Sequence, residues 1–422
     1  MEIKHPLITG IGLTTPLGIG SDKNLSAIKN GISGVSRFRE NDFRGLVHLE
    51  KYLDIPSHLT GQFKFLNRGG ILGLVSAIEA MSMVDYQKIP PDERGLFLAT
   101  GDLTNVGCEF LYPTTKNFLL SRFTDINFDK FNKTALNKVN PFFLLDSIAN
   151  NPFSFISAYF ETMGDNTSIA SLSPCGSLAL DLAVRSITQK RSRLSLVIGS
   201  TSWTNDISIF EMRGLGLLSR CKSGESSFRP FDKKRDGFIP SEGASALILE
   251  HPDNALKNGH RIFGRIINTH STCEMTEKKG ISVSPNMTYR AMKDCIEGAG
   301  LSLKDIAFIC AHGSGSKKGD SSEMTSLLML FHDYNHVVPV CGLKPYTGHM
   351  GAASDIFDIA IGIYSLRQGF IPKTPNFNHS EERFSAIPFT TSNIETSKDI
   401  FMTISNGLGG QSVSSIIQVV RD

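Results

Sequence analysis

Apolar residues along this chain gather in two kinds of run that alternate from end to end. Short apolar runs bounded by Gly, Pro, Asn or Ser predict strands at 7–11, 95–100, 167–171, 194–200, 244–250, 263–268, 306–311, 337–341, 401–405 and 415–420. Between them, apolar positions recur at helical spacing over 67–84, 176–189, 286–299, 321–331 and 353–368. This alternation predicts an α/β fold with strands buried on both faces. Two helical stretches also match each other: DLAVRSI at 181–187 and DIAIGIYSL at 358–366, each following a small-residue start. They suggest a duplicated design whose halves, 1–250 and 251–422, meet where HPDNALKNGHR reads as a polar crossover.

Composition narrows the class. The 422 residues are 40% hydrophobic and 20% charged, enough for one large domain or two intimately packed ones. A formal charge of +2 provides no strongly basic stripe, so no nucleic-acid partner is expected. The 38 glycines follow no period and fall largely at strand–helix joints, which suits a site built from loops. Seven cysteines (108, 175, 221, 273, 295, 310, 341) are widely spaced, without a C-x-x-C pair or zinc-ligand spacing. That pattern predicts reduced thiols and no metal. No apolar run suits a membrane span, and the opening MEIKHPLITGIGLTTPLG does not read as a signal peptide. The expectation is a soluble, cytoplasmic protein with no membrane partner.

Four stretches carry candidate chemistry. In SLSPCGSLALDLAVRSI (171–187), Cys175 stands where a strand stops and a helix starts. Free N–H groups and the macrodipole at a helix N-terminus favour a thiolate, although many free cysteines are simply small buried hydrophobes. In ICAHGSGSKKGDSSEMTSL (309–327), His312 leaves a strand into a Gly/Ser loop, and a helix carrying Glu323 follows. In CGLKPYTGHMGAAS (341–354), Lys344 and His349 bracket a turn whose small residues allow close backbone approach. Finally, ISNGLGGQSVSSII (404–417) turns through Asn-Gly-Leu-Gly-Gly, a loop with accessible N–H groups able to receive an oxyanion. A cysteine nucleophile with two histidines from separate loops is the common denominator.

With further segments, these stretches resemble the β-ketoacyl-acyl carrier protein synthases, specifically the elongating condensing enzymes of fatty-acid and polyketide synthesis. The likeness takes in ITGIGLTTPLG at the start, FRPFDKKRDGFIPSEGASALILE (228–250), AHGSGSKKGD, the K-x-x-T-G-H motif, IPKTPNF (371–377) and the terminal G-x-G-G. It implies a thiolase-like five-layer αβαβα fold of two duplicated halves, and a dimer. It implies Cys175 as acyl-accepting nucleophile, His312 and His349 as catalytic histidines, and Lys344 as the motif lysine, ion-paired with Glu323. The N–H groups of Cys175 and Leu408 would form the oxyanion hole. Ser314 and Ser316 would line the pantetheine tunnel with Leu408, and Lys64 and Arg68, one helical turn apart, would dock the acidic carrier protein.

The implied reaction transfers an acyl group to Cys175, decarboxylates malonyl-acyl carrier protein, and joins the two into a β-ketoacyl chain. Substrates ride on the phosphopantetheine arm, so no cofactor or metal is expected. Departures from the family pattern are Pro174 in place of alanine, Leu408 in place of phenylalanine, and Asp102 within ATGDLTNVG (99–107). They suggest a specialised pathway with altered acyl preference. Two rival readings stand beside this one. The chain could be a chain-length-factor-like partner in a ketosynthase heterodimer, although such partners lack the nucleophile. It could instead be a non-decarboxylating acyltransferase, although thiolases use a second cysteine in a C-x-G motif that is missing around Cys341.

Overall fold

In a computed structural model of the chain, residues 5–40, 42–49, 53–101, 127–138, 148, 150–171, 174–274 and 283–421 are described. The principal strands are β1 (Leu7–Thr15), β2 (Arg94–Thr100), β3 (Asn166–Ala170), β4 (Leu194–Ser202), β5 (Glu242–Glu250), β6 (Gly264–Cys273), β7 (Ile309–Cys310), β8 (Val340–Cys341), β9 (Ile400–Asn406) and β10 (Gln411–Val419). They lie in the order β3-β2-β4-β5-β1, then β6-β10-β9-β7-β8. Adding five to each number of the first group gives the second group read from its far end. The directions repeat too. β3, β2 and β4 are parallel, with β5 and β1 antiparallel beyond them. Likewise β8, β7 and β9 are parallel, with β10 and β6 antiparallel beyond. The groups join where Leu7 and Ile8 pair with Arg265 and Gly264.

Two expected strands shrink to two residues each, β7 and β8. Pro339 precedes β8 and has no N–H to extend the ladder backwards; its carbonyl accepts from Ile309 N–H instead. Beyond Cys310 the chain turns out through His312 into a loop.

The helices that place the site are α1 (Arg68–Met81), α2 (Cys175–Thr188), α3 (Pro285–Gly298), α4 (Lys317–Asp333) and α5 (Ala352–Arg367). α2 and α5 pack on each other and on strands of both groups, forming a central layer. α1 covers β1, β4 and β5 from outside; α3 covers β6 and β10, with α4 against it. The layers run helix, sheet, helix, sheet, helix, the thiolase-like arrangement expected. Every residue of α5 from Ala352 to Ile363 is buried, as an apolar helix covered on all sides requires. The starts of α2 and α5 touch: a Cβ added at Gly176 would lie 2.3 Å from the Ala352 carbonyl oxygen. α4 begins before its apolar pattern does, because the Ser316 side chain accepts from Gly319 N–H at 3.1 Å and caps a polar first turn. Among the described residues no helix is long and apolar enough to cross a membrane.

Candidate active site

Cys175 is the first residue of α2 and fully buried. Its Sγ donates to the Ser171 carbonyl at 3.1 Å, the geometry of a thiol that keeps its proton. Burial pushes the thiol pKa far up and Asp355 adds to this, while the N–H groups of Cys175 and Gly176 pull the other way. The resting thiolate expected from the helix start is therefore corrected. Desolvation outweighs the helix N-terminus, and Cys175 rests as a neutral thiol.

His312 stands two residues past β7, buried beside His349 with ring centroids 5.5 Å apart at 69°. His349 lies two residues before Gly351, whose N–H donates to its Nδ1 at 3.1 Å. With Nδ1 an acceptor, the neutral ring carries its proton on Nε2. Trp203 and Phe238 flank that imidazole at 5.2 and 4.8 Å between centroids. Burial first, then Lys344, holds both histidines well below their ordinary pKa, with His349 adding to the effect on His312. Both rings are neutral, and the buried His312 Nδ1 has no hydrogen-bond partner among the described residues.

The ion pair expected between Lys344 and Glu323 does not form. Lys344 Nζ instead meets Asp358 Oδ2 at 3.2 Å. Glu323 accepts from the N–H groups of His312 at 2.6 Å and Gly313 at 3.0 Å, fixing the histidine loop from below. Burial pushes the Glu323 pKa up to about 8 despite those two donors. The reason is placement: α4 brings Glu323 under the loop backbone, whereas α5 brings Asp358 to the lysine.

Ser314 and Ser316 line the same cavity as the histidines. The Ser314 hydroxyl donates to Asp320 Oδ1 at 3.0 Å and lies 2.9 Å from the Ser316 hydroxyl. Ser316 must therefore be the donor in that pair. Both protons are engaged within the loop; Ser314 also accepts from Ser316 N–H at 3.2 Å, so Ser316 is the hydroxyl that keeps acceptor capacity for an incoming group. Leu408 lies in the turn after β9 and packs on a cluster containing Trp203, Met212, Leu217 and Phe238. The N–H groups of Cys175 and Leu408 have no acceptor among the described residues. A cavity of about 1010 Å³ is bounded by Trp203, Phe238, His312, His349, Leu408 and four cations, Arg220, Lys222, Lys317 and Lys318.

Lys64 and Arg68 do not share a helix. Lys64 caps the short helix Thr60–Phe63, and Asn67 caps the start of α1 by accepting from Gly70 N–H at 2.7 Å. Arg68 is tied to Glu242 at 2.7 Å, a carboxylate only 5% exposed. Asp102 and Cys108 lie outside the described residues.

The sequence reading missed three supporting groups. Asp358 and Asp355 were visible only as two acids one turn apart in a helix otherwise apolar and buried, a pattern that calls for partners. Asp320 accepts from the N–H groups of Phe231 at 2.8 Å and Gly315 at 3.0 Å, with the fully buried Arg235 at 3.6 Å. The segment 228–238 is thus an internal brace for the histidine loop. Among the described residues no cluster of ligating side chains could hold a metal ion.

Residues 7–255 match the model of the β-ketoacyl synthase N-terminal domain, and residues 263–378 match that of its C-terminal domain. The chain belongs to the β-ketoacyl synthase family, enzymes that catalyse condensation in fatty-acid and polyketide synthesis. A putative mitochondrial 3-oxoacyl-[acyl-carrier-protein] synthase of Schizosaccharomyces pombe is 25% identical, with 98% of each chain covered. The 3-oxoacyl-[acyl-carrier-protein] synthase 2 of Coxiella burnetii is 24% identical over the full length of both. Among solved structures, the ketosynthase complex AntDE:AntF, a type II PKS acyl-carrier protein with its ketosynthase bound to the hexaketide, matches with a TM-score of 0.83 at 20% identity, covering 99% of each chain. The ishigamide ketosynthase/chain length factor gives 0.82 at 18%, again over 99% of each.

Proposed function

We propose that this chain uses Cys175 to accept an acyl group and then condenses it with malonyl-acyl carrier protein. The observation that carries this reading is the pair of buried, neutral imidazoles, His312 and His349, on the wall of one cavity. The Cys175 sulfur attacks the acyl thioester carbonyl, and its proton leaves with the departing pantetheine sulfur. The new thioester is held at Cys175. The N–H groups of Cys175 and Leu408 receive the oxyanion. Malonyl thioester then loses its carboxylate as carbon dioxide. Neutral imidazoles donate N–H bonds to the thioester oxygen, where the electron pair from the broken C–C bond collects as an enolate. Charged imidazoles would bind the malonyl carboxylate and resist its loss. The enolate carbon attacks the acyl carbonyl on Cys175, the Cys175 sulfur departs and regains a proton, and a β-ketoacyl chain two carbons longer remains on the carrier.

The carrier arm ends in an anionic phosphodiester. Arg220, Lys222, Lys317 and Lys318 line the cavity and make no ion pair among the described residues, which supports entry of such an arm there. Ser316 offers an acceptor along the way, held in place by its bond to Ser314. We read residues 1–250 and 251–422 as the two halves, a repetition that the strand order supports. We also read the assembly as a homodimer in the cytoplasm, working without a cofactor of its own. Intact-mass spectrometry of wild type and Cys175→Ala with an acyl-carrier thioester tests the function. The expected result is an acyl adduct on wild type alone, converted to β-ketoacyl carrier by malonyl carrier. No adduct with any of several primers, alone or with a related partner subunit, would overturn it.

A further inference from the structure

Three chain segments carry the groups assigned above. They are the start of α2 with Cys175, the start of α5 just after His349, and the turn after β9 with Leu408. A single side chain joins them. Asp355, in the first turn of α5 and buried, accepts from Ser177 N–H through Oδ2 at 3.2 Å. Its other oxygen, Oδ1, accepts from the Ser405 hydroxyl at 2.6 Å. Ser177 lies two residues past Cys175, and Ser405 three residues before Leu408. Resting on the reading of Cys175 as nucleophile and Leu408 N–H as oxyanion donor, we propose that Asp355 is a positioning residue. Its carboxylate holds the helix presenting Cys175 and the turn presenting Leu408 at one fixed separation.

The chemistry suits a short acid. Two donors approach from opposite sides, one N–H and one O–H, and a carboxylate accepts both. Gly176 permits this closeness, because a Cβ there would come 3.0 Å from Asp355 Oδ2. The same contact places a negative charge at the N-terminus of α2, where it occupies a first-turn donor and partly offsets the helix dipole. Burial raises the Asp355 pKa, against the pull of Lys344, the Ser405 hydroxyl and the N–H groups of Ser177 and Gly176; Asp358 one turn along α5 and the two neutral histidines are the other titratable groups around this point. Burial alone would keep the proton on Cys175; the Asp355 charge reinforces it. Asp355 thus fixes the two oxyanion donors, and its charge adds to the burial that already holds the proton on Cys175.

The test compares the full chain with Asp355→Asn, Asp355→Ala and Ser405→Ala. It reads thermal melting, the pH dependence of iodoacetamide alkylation at Cys175 located by peptide mass, and kcat and KM for acyl transfer from a carrier thioester. Asparagine can still accept from Ser177 N–H and donate to the Ser405 oxygen, so Asp355→Asn keeps the bridge and removes the charge. Its alkylation midpoint should fall by about one pH unit, with acylation kcat within about tenfold of wild type. Asp355→Ala should lose about 100-fold in kcat with KM nearly unchanged, the scale of one misplaced oxyanion donor. Ser405→Ala should lower kcat without moving the alkylation midpoint. A purely structural role would alter melting but leave the asparagine midpoint where it was. An unmoved midpoint in Asp355→Asn, together with wild-type kcat in Ser405→Ala, would overturn the proposal. A wild type that alkylates at Cys175 but never acylates counts against the condensing function. The alkylation midpoint still decides the role of Asp355 at the head of α2.

Discussion

Lys344 Nζ lies 3.2 Å from Asp358 Oδ2, and the two side chains are only 1% and 3% exposed. Burial pulls the lysine pKa down, but Asp358, Asp355 and Cys310 together carry it above its ordinary value. The cation therefore persists in the core, and its field helps to keep both histidines neutral. Removing one partner strands the other charge. We expect Asp358→Ala to lose about 3–5 kcal/mol in denaturant unfolding. Asp358→Leu combined with Lys344→Met should recover most of that loss while decarboxylation stays slow. A single variant as stable as wild type would show that the pair carries little of the local fold.

The histidines also set a pH signature. Their folded pKa values lie well below the unfolded value of 6.5, because of burial and then Lys344. Below pH 6.5 the unfolded chain binds protons that the folded chain refuses, so this stabilisation is present above 6.5 and lost on acidification. Glu323, Asp320 and Asp358 act in the opposite sense. Burial raises them from 4.5, 3.8 and 3.8 to about 8, about 6 and about 6, so their contribution is present in acid and lost as pH rises through those values. Replacing His349 with Asn should remove part of the acid-side loss. Melting temperatures taken between about pH 7.5 and 5.5 should fall less for the variant than for wild type. Malonyl decarboxylation by the wild type should likewise hold its rate below pH 6.5, and a midpoint near 6.5 would mean that the imidazoles titrate as free ones do.

The loops at the strand ends were legible because small residues and free N–H groups gather there. That is why Cys175, His312, His349 and Leu408 could be named from four short stretches, and why three of them line or adjoin one cavity. Partners were less legible. Glu323 and Asp358 are both buried acids within reach of the Lys344 field, and only the crossing of α5 decides which one touches it. The helix start at Cys175 is visible in its Pro-Cys-Gly context, but the burial that overrides it is a property of the surrounding layers. Lys64 and Arg68 have helical spacing, yet Asn67 caps a new helix between them.

Arg68 is a poor test of carrier docking, since its removal would leave the buried Glu242 carboxylate without its cation. The cations that line the cavity are better placed. Reversing both Lys317 and Lys318 to Glu should raise KM for a carrier-borne thioester about tenfold, with kcat nearly unchanged and a weaker salt dependence. A short pantetheine thioester without the phosphate should be spared. Lys64→Glu, tested alongside, shows whether the carrier also reaches that exposed lysine. Equal losses for the phosphate-free thioester would mean that the lysines shape the cavity and do not bind the arm.

Leu408 occupies the turn at the cavity wall and packs on the cluster that includes Trp203 and Phe238, the two rings that flank His349. Its N–H and its side chain therefore serve different ends: one faces the proposed oxyanion, the other sets how much room an acyl group finds. A phenylalanine in its place would push a flat ring toward Trp203, the only tryptophan of the chain. Leu408→Phe should discriminate against bulky primers relative to acetyl by about tenfold in kcat/KM, the scale of a few methylene groups gained or lost in an apolar pocket. Competition between a saturated long-chain primer and an aryl or polyene primer, followed by mass spectrometry of acylated Cys175, measures this directly. Trp203 emission, read in the same samples, should shift when the cavity fills. Unchanged primer ratios would separate Leu408 from acyl selection and leave it only the backbone donor.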